Sequence, residues 1–173
     1  MGTSSRPVRC LVLTFSDTRT EPDDSSGDAI ATLLAEAGHA VVGRRIVRED
    51  ASTVRAAFED ALATDVDAIV TTGGTGIAPR DIVIDVLEPL FHKKLEGFGE
   101  AFRRLSWDQV GARSVLSRAT AGTVGPKLLV ALPGSEKAVR LGVTDVLLPF
   151  LIHAVALLQG HTAHGPAKHE RST

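Results

Sequence analysis

A short glycine-rich run, Gly73-Gly74-Thr75-Gly76, is the segment of the sequence best suited to binding an anion. Because three of its four residues have no side chain, backbone N–H groups can approach a phosphate closely, and Thr75 adds a hydroxyl. A helix beginning at Asp81 would place a partial positive charge nearby. The run matches neither the Gly-x-Gly-x-x-Gly pattern nor the Walker pattern. Alone, it predicts either a phosphate-binding loop or a tight strand-to-helix turn without a ligand.

Three acidic residues near predicted strand ends could take part in phosphate chemistry. Asp81 follows Arg80 close to the glycine run, and Asp85 lies four residues further on, on the same face of any helix that forms there. A carboxylate beside bound phosphates can hold Mg²⁺ or orient a phosphate reaction, whereas its alternative role is to complement the helix dipole. Asp50 precedes a predicted helix, so helix capping is its simplest interpretation.

Four further motifs contain groups suited to a phosphate-bearing or planar ligand. Ser16-Asp17 follows the first predicted strand, and Pro133-Gly134-Ser135 places amides and a hydroxyl at a helix start, where Ser135 could equally be a helix cap. Glu96-Gly97-Phe98-Gly99-Glu100 could line a flat ring or form a hinge. Ser117-Arg118 could hold a phosphate through the arginine fork or form a surface salt bridge.

The periodicity of apolar residues predicts the elements that position these motifs. Strand-like apolar runs alternate with helical spacing, which is typical of an open α/β domain with a mostly parallel sheet. The predicted strands are Val8–Phe15, Ala40–Val47, Ala68–Thr72 and Lys127–Leu132. Helices are predicted from Ser25 to Gly38, after Ser52, over Asp81–Leu90, over Phe98–Val110, after Ser135 and over Leu147–Leu158, with an extended segment at Ser114–Thr123. Ligands bind beyond the carboxyl ends of such strands, so we expect the loops there to converge.

Length and composition limit the class of protein. A chain of 173 residues predicts one domain, here over residues 8–158, with flexible ends at 1–7 and 159–173. The net charge of −2 argues against a broad nucleic-acid surface, and the single cysteine, Cys10, excludes an intrachain disulfide. The longest apolar run, Val146–Leu158, is short for a membrane span, and residues 1–9 lack a signal-peptide core. We therefore expect a soluble cytoplasmic protein with neither nucleic acid nor membrane as a partner.

These motifs, in this order, resemble the molybdopterin-binding family that includes MogA and MoaB. The likeness extends over about residues 8–158, and the segment at 90–103 with the Pro-Gly-Ser ending is most similar to the MoaB branch. The resemblance implies a three-layer α/β/α sandwich that assembles as a homotrimer or hexamer and works with other enzymes of molybdenum cofactor biosynthesis.

The family reaction that the resemblance implies is adenylylation of molybdopterin by ATP and Mg²⁺ with release of pyrophosphate. A non-catalytic molybdopterin carrier is the alternative. The resemblance assigns catalysis and Mg²⁺ binding to Asp50 and Asp81, and nucleotide binding to Pro133, Gly134 and Ser135. The residues that it assigns to molybdopterin and its phosphate are Ser16, Asp17, Ser26, Gly27, Gly73, Gly74, Thr75, Gly76, Arg80, Glu96, Gly97, Phe98, Gly99, Ser117 and Arg118.

Overall fold

A six-stranded mixed sheet forms the centre of the protein in a computed structural model that describes residues 6–161. The strands are β1 (Arg9–Phe15), β2 (Ala40–Val47), β3 (Ala68–Thr72), β4 (Lys93–Lys94), β5 (Thr120–Val124) and β6 (Lys127–Leu132). Their order is β2-β1-β3-β6-β5-β4; β2, β1, β3 and β6 are parallel, while β5 is antiparallel to both β6 and β4. The predicted single α/β domain with a mostly parallel sheet is confirmed.

Helices cover both faces of the sheet. They are α1 (Ser25–Glu36), α2 (Ala51–Leu62), α3 (Val83–Leu87), α4 (Glu96–Val110), α5 (Glu136–Leu141) and α6 (Leu148–Leu158), with π-helical turns at Gly142–Leu147 joining α5 to α6. Short 3-10 helices lie at Glu21–Asp23, Glu88–Leu90 and Gly111–Leu116. Side chains of Asp24, Asp50 and Ser135 accept hydrogen bonds from the first turns of α1, α2 and α5, which fixes where those helices begin.

Two hydrophobic cores, one on each face, hold the layers together. Ile30 of α1, Phe102 of α4 and Leu151 of α6 are buried against one face. On the other face Phe58 of α2 packs on Phe15 of β1, with ring centroids 5.3 Å apart. Burial on both faces explains why the central strands are continuous apolar runs.

Two predicted elements are wrong. Asp81 does not lie in a helix, because the chain turns there: the Asp81 amide donates to the carbonyl of Ala78, and α3 begins only at Val83. The predicted extended segment Ser114–Thr123 is helical in its first part, since a 3-10 helix, Gly111–Leu116, follows α4 and begins at Gly111, whose φ is +61°. The strand in this region, β5, begins only at Thr120.

The helical run Glu136–Leu158 is long and apolar enough to cross a membrane by length and composition alone. In this fold it is a core helix, because Val139, Val143, Leu147 and Leu151 are buried in the first hydrophobic core. The flexible ends predicted at 1–7 and 159–173 lie in part, at 1–5 and 162–173, outside the described residues. Within the described part, Arg6 and Gln159 both donate hydrogen bonds to the carboxylate of Asp67.

Candidate functional site

A cavity of about 420 Å³ opens beyond the carboxyl ends of β1, β3 and β6, where the sequence predicts that the loops converge. Eleven of the residues predicted for the site line it together. They are Ser16, Asp17, Gly73, Gly74, Thr75, Gly76, Arg80, Asp81, Ser117, Pro133 and Gly134. The cavity is therefore a composite of segments widely separated in the chain.

The glycine turn after β3 forms the floor of this cavity. Gly73 and Gly74 have φ angles of +96° and +66°, which disfavour other residues. Space is equally restrictive: a Cβ on Gly73 would lie 2.2 Å from the carbonyl oxygen of Phe15, and one on Gly74 would lie 2.2 Å from Cγ2 of Val83. The Gly73 amide already donates to Leu132 at 3.0 Å, so amides available to a ligand begin at Gly74.

Three carboxylates face the cavity around this turn, those of Asp17, Glu49 and Asp81. Oδ2 of Asp81 accepts a hydrogen bond from the amide of Ala78 at 2.8 Å, which fixes its direction. Oδ1 of Asp17 accepts from the Glu49 amide at 3.0 Å. Burial, and then the negative charges of Asp17 and Asp81, raise the pKa of Glu49, against an opposing effect of Arg80. A cation brought into the cavity would relieve this repulsion.

Asp50, which the resemblance makes a functional acid, lies at the start of α2 rather than among the residues that line the cavity. Its Oδ1 accepts hydrogen bonds from the Thr53 amide at 2.9 Å and the Ser52 hydroxyl at 2.7 Å. The hydrogen bonds from Thr53 and Ser52 lower the pKa of Asp50 to about 2. Its geometry is that of a helix cap, whereas the neighbouring Glu49 lines the cavity.

The loop after β6 is braced by Ser26, which the resemblance assigns to the ligand, and by two residues that it does not assign, Arg19 and Thr72. The buried hydroxyl of Ser26 donates to the carbonyl of Gly134 at 2.7 Å, and Nη2 of Arg19 donates to the same oxygen at 3.1 Å. Thr72 Oγ1 donates to the carbonyl of Pro133 at 2.8 Å. Ser135 caps α5 by accepting from Ala138. These contacts fix the loop against β3 and α1.

Gly27 and Phe98 have packing roles. A Cβ on Gly27 would lie 2.0 Å from Oδ2 of Asp24, so glycine leaves room for the carboxylate that caps α1. Phe98 is buried in the first core and packs edge-on against Phe150, with ring centroids 6.3 Å apart. Neither residue lines the cavity, and a Cβ on Gly97 would meet nothing within 4 Å.

A second cavity of about 320 Å³ adjoins the first at Ser117. Glu96, Gly99 and Arg118, all predicted site residues, line this second cavity instead of the first. Lys94 lies between Glu88 and Glu96, with Nζ 2.8 Å and 3.7 Å from their carboxylate oxygens. The predicted ligand-binding residues therefore divide between two adjacent hollows and the packed layers behind them.

Within residues 6–161 there is no group of three or more His, Cys, Asp or Glu side chains that could hold a metal ion. A Mg²⁺ ion that arrives with a nucleotide needs only one or two protein carboxylates, together with substrate phosphates and water. Asp81 and Glu49 supply carboxylates of that kind beside the amides of the glycine turn.

Sequence reasoning missed two charged residues of the first cavity, Arg19 and Glu49. Arg19 is three residues beyond Ser16, whose hydroxyl accepts from the Arg19 amide at 3.1 Å and curls the loop inward. Glu49 follows β2 by two residues, and its position beyond a carboxyl strand end was the available signal.

Comparison with known proteins agrees with this geometry. The family described as "Probable molybdopterin binding domain" matches residues 11–153, and the chain belongs to that family. Within it, the chain is 44% identical over 150 residues to Molybdenum cofactor biosynthesis protein B of Bacillus anthracis, covering 86% of this chain and 89% of that protein.

Solved structures of the same family also match this chain. A crystal structure of Molybdenum cofactor biosynthesis protein B matches with a TM-score of 0.88 at 41% identity, covering 91% of this chain and 99% of that one. The tungsten cofactor synthesizing protein MoaB from Pyrococcus furiosus matches with a TM-score of 0.80 at 37% identity, over 88% and 98% of the two chains. The resemblance to the MogA and MoaB family is thus confirmed.

Proposed function

We propose that this protein acts in molybdenum cofactor biosynthesis as a molybdopterin adenylyltransferase that uses ATP and Mg²⁺. The single observation that supports this most is the composite cavity, in which a glycine turn, three acids and the braced loop after β6 meet. Such a site offers amides and hydroxyls to two phosphate-bearing substrates. The names of the relatives support the same biosynthetic role.

In the proposed reaction, an oxygen of the terminal phosphate of molybdopterin attacks the α-phosphorus of ATP. The new P–O bond forms as the bond between the α-phosphorus and its bridging oxygen breaks, and pyrophosphate leaves with that electron pair. Because the substrate is its own nucleophile, the protein contributes orientation and neutralisation of charge. Amides from Gly74 onward and the hydroxyl of Thr75 would hold phosphate oxygens in line.

Asp81 and Glu49 are the residues that we propose to hold Mg²⁺. When bound, the ion would neutralise developing charge on the phosphate oxygens. The hydrogen bond from Ala78 keeps the Asp81 carboxylate directed for this task. Arg80, which also lines the cavity, would attract the phosphates from the solvent side, since it is exposed.

The direct test is to incubate the purified protein with molybdopterin, Mg²⁺ and ATP and to measure pyrophosphate and adenylylated pterin. We expect both products in equal amounts, and a large but measurable fall in their rate of formation in the Asp81→Asn variant. The proposal is wrong if the folded wild-type protein gives no product above background. Binding of molybdopterin without ATP consumption would instead support the alternative, a carrier of the MoaB branch.

Self-assembly into a homotrimer or hexamer is part of the proposal. Trp107, Val110, Val115 and Leu116 are large apolar residues on α4 and the 3-10 helix after it, and all are exposed in the single chain. Clusters of this kind mark association surfaces. Light scattering coupled to size-exclusion chromatography should give a mass that corresponds to a trimer or a hexamer of the 18.2 kDa chain. We also propose cytoplasmic location and contact with other enzymes of the pathway.

A further inference from the structure

We infer that Arg118 is a positioning residue that sets the place of Asp81, and that it is not a phosphate ligand. The inference rests on the proposed function for its kinetic consequence but not for its structural one. The segment from Thr75 to Asp81 links β3 to α3, has no regular secondary structure, and includes Gly76, Arg80 and Asp81 of the cavity. Hydrogen bonds between Ala78 and Asp81 close a turn within the segment, and its place relative to β3 and α3 depends on contacts from outside it.

Arg118 holds this segment at both ends. Its backbone amide donates to the carbonyl of Thr75 at 2.9 Å. Its Nε donates to the carbonyl of Gly76 at 2.8 Å, and its Nη2 donates to the carbonyl of Asp81 at 2.6 Å. One residue thus fixes where the segment leaves the glycine turn and where it reaches the acid.

Asp85 holds the guanidinium group itself. Its Oδ1 accepts from Nη1 of Arg118 at 2.7 Å and its Oδ2 accepts from Nη2 at 3.3 Å. Asp85 lies on α3, which follows the segment. Arg118, from the connection between the 3-10 helix and β5, therefore links that connection, the segment and α3. This explains the spacing of Asp81 and Asp85 without placing them together on a helix.

The hydrogen-bond inventory of Arg118 argues against a direct role in substrate binding. A guanidinium group has five N–H donors. Four contacts from its Nε, Nη1 and Nη2 atoms already go to Gly76, Asp81 and Asp85. The fork that would grip a phosphate is occupied, and Arg118 does not line the first cavity. Its contribution is then to orient the peptide of Asp81.

Substitution of Arg118 by Lys tests the inference. Lysine retains the charge, but its single ammonium group lacks the planar fork with which arginine contacts two carbonyls and a carboxylate at once. Arg140→Lys is the matched control: Arg140 also grips a carboxylate, that of Glu136, but contacts no loop of the cavity. Asp85→Asn, at an exposed residue, is a second and milder variant in case the first is unstable.

The first measurement is amide hydrogen exchange of the protein without substrates. We expect faster exchange at residues 75–81 in Arg118→Lys, a smaller increase in Asp85→Asn, and none in Arg140→Lys. Unchanged exchange of this segment in both Arg118→Lys and Asp85→Asn overturns the inference. Because the measurement needs no substrate, it decides the question even if the protein shows no adenylyl transfer and the proposed function fails.

The second measurement is a double-mutant cycle on kcat with Asp81→Asn. A displaced acid should lower kcat by roughly a hundredfold in Arg118→Lys while the KM for ATP changes little. In the Asp81→Asn background, Arg118→Lys should lower kcat almost no further, because Arg118 acts through Asp81. A higher KM with unchanged kcat, or a full additive loss in that background, would show that Arg118 binds substrate itself.

Discussion

Gly76 and Asp81 compete for one space: a Cβ atom on Gly76 would lie 2.5 Å from Oδ2 of Asp81. The same oxygen accepts the hydrogen bond from Ala78 that directs the carboxylate. Gly76 has no positive φ, so its backbone conformation is open to other residues. Glycine is required here because of the acid and not because of the turn.

Gly76→Ala should therefore move the Asp81 carboxylate and leave the fold intact. We expect kcat for pyrophosphate release to fall by about tenfold or more, since small misplacements of a reacting group are costly. The melting temperature should change little, because Gly76 is half-buried at the edge of the cavity. Stopped-time pyrophosphate assays and thermal denaturation measure the two effects. Retained kcat in a folded variant would contradict the placement of Asp81 in the reaction.

Gly97→Ala, unlike Gly76→Ala, should leave the reaction intact and stabilise the protein. Gly97 lies in α4, and a Cβ there would meet nothing within 4 Å. Alanine in a helix is favoured over glycine by roughly 0.5–1 kcal/mol, so we expect a modest rise in melting temperature. If Gly97 does not contact the pterin, pyrophosphate release should persist. A raised KM for molybdopterin in this variant would instead support the contact that the resemblance implies.

Asp50→Asn separates helix capping from catalysis. Asparagine caps helices as well as aspartate does, so the hydrogen bond to the Thr53 amide survives while the negative charge is lost. We expect nearly wild-type kcat and little change in melting temperature. A loss of kcat as large as that of Asp81→Asn would show that Asp50 takes part in the reaction, as the resemblance implies.

Three of the four parallel strands, β1, β3 and β6, could be predicted from the sequence because burial on both faces makes them largely apolar. The edge strand β2 is only partly buried and contains the pair Arg44-Arg45, but its valines and isoleucine still form a β-like run. The strand β4 could not be predicted, and β5 was predicted only as the end of the extended segment Ser114–Thr123. Lys93–Lys94 are exposed, and Thr120–Val124 is short and interrupted by Gly122, so neither has a pattern of its own. They are strands because each pairs with a neighbour, β5 with β6 and β4 with β5.

The candidate site was predictable only where its groups are local in sequence. The glycine turn can be recognised in the sequence because its four residues are consecutive and form one loop. The choice between Glu49 and Asp50 depends on one residue of register between the end of β2 and the start of α2, which spacing cannot decide. The role of Arg118 depends on carbonyls at Gly76 and Asp81, and backbone acceptors leave no signature in side-chain patterns.

Asp67 should matter for stability alone. It receives hydrogen bonds from Arg6, the Arg9 amide and Gln159 at the end of the sheet away from the cavity. Burial alone would raise the pKa of Asp67, but the bonds from Arg6 and Arg9 lower it below its ordinary value. Asp67→Ala should cost about 2 kcal/mol of unfolding free energy by leaving the Arg9 amide unpaired.

The pH dependence of stability provides a second test of the role of Asp67. Because the folded-state pKa is lowered, the stabilisation is fully present above about pH 4, the ordinary value for Asp, and is lost as pH falls through the folded pKa. Denaturant titrations should show the gap between wild type and Asp67→Ala narrowing only in acid. An unchanged gap down to the lowest pH at which both proteins fold would contradict this account.

Glu49→Gln should stabilise the protein while impairing the reaction. The pKa of Glu49 is raised, so the folded protein binds this proton more tightly than the unfolded chain does. Stability is therefore lost as pH rises from the ordinary value of about 4.3 through the folded pKa, and ionised Glu49 is a cost at neutral pH. Glutamine removes that cost, so we expect a higher melting temperature at pH 7 and a vanishing difference near pH 4.

The same substitution should lower kcat and raise the Mg²⁺ concentration needed for half-maximal activity, because a neutral amide is a poorer ligand for Mg²⁺ than a carboxylate. Glu59→Gln is the matched control, an exposed glutamate on α2 remote from the residues that line the cavity. Opposite changes in stability and activity are expected for a charge retained for its chemistry. If the Glu49→Gln variant has higher stability and an unaltered Mg²⁺ requirement, Glu49 does not hold the ion and Asp81 is the one remaining proposed ligand.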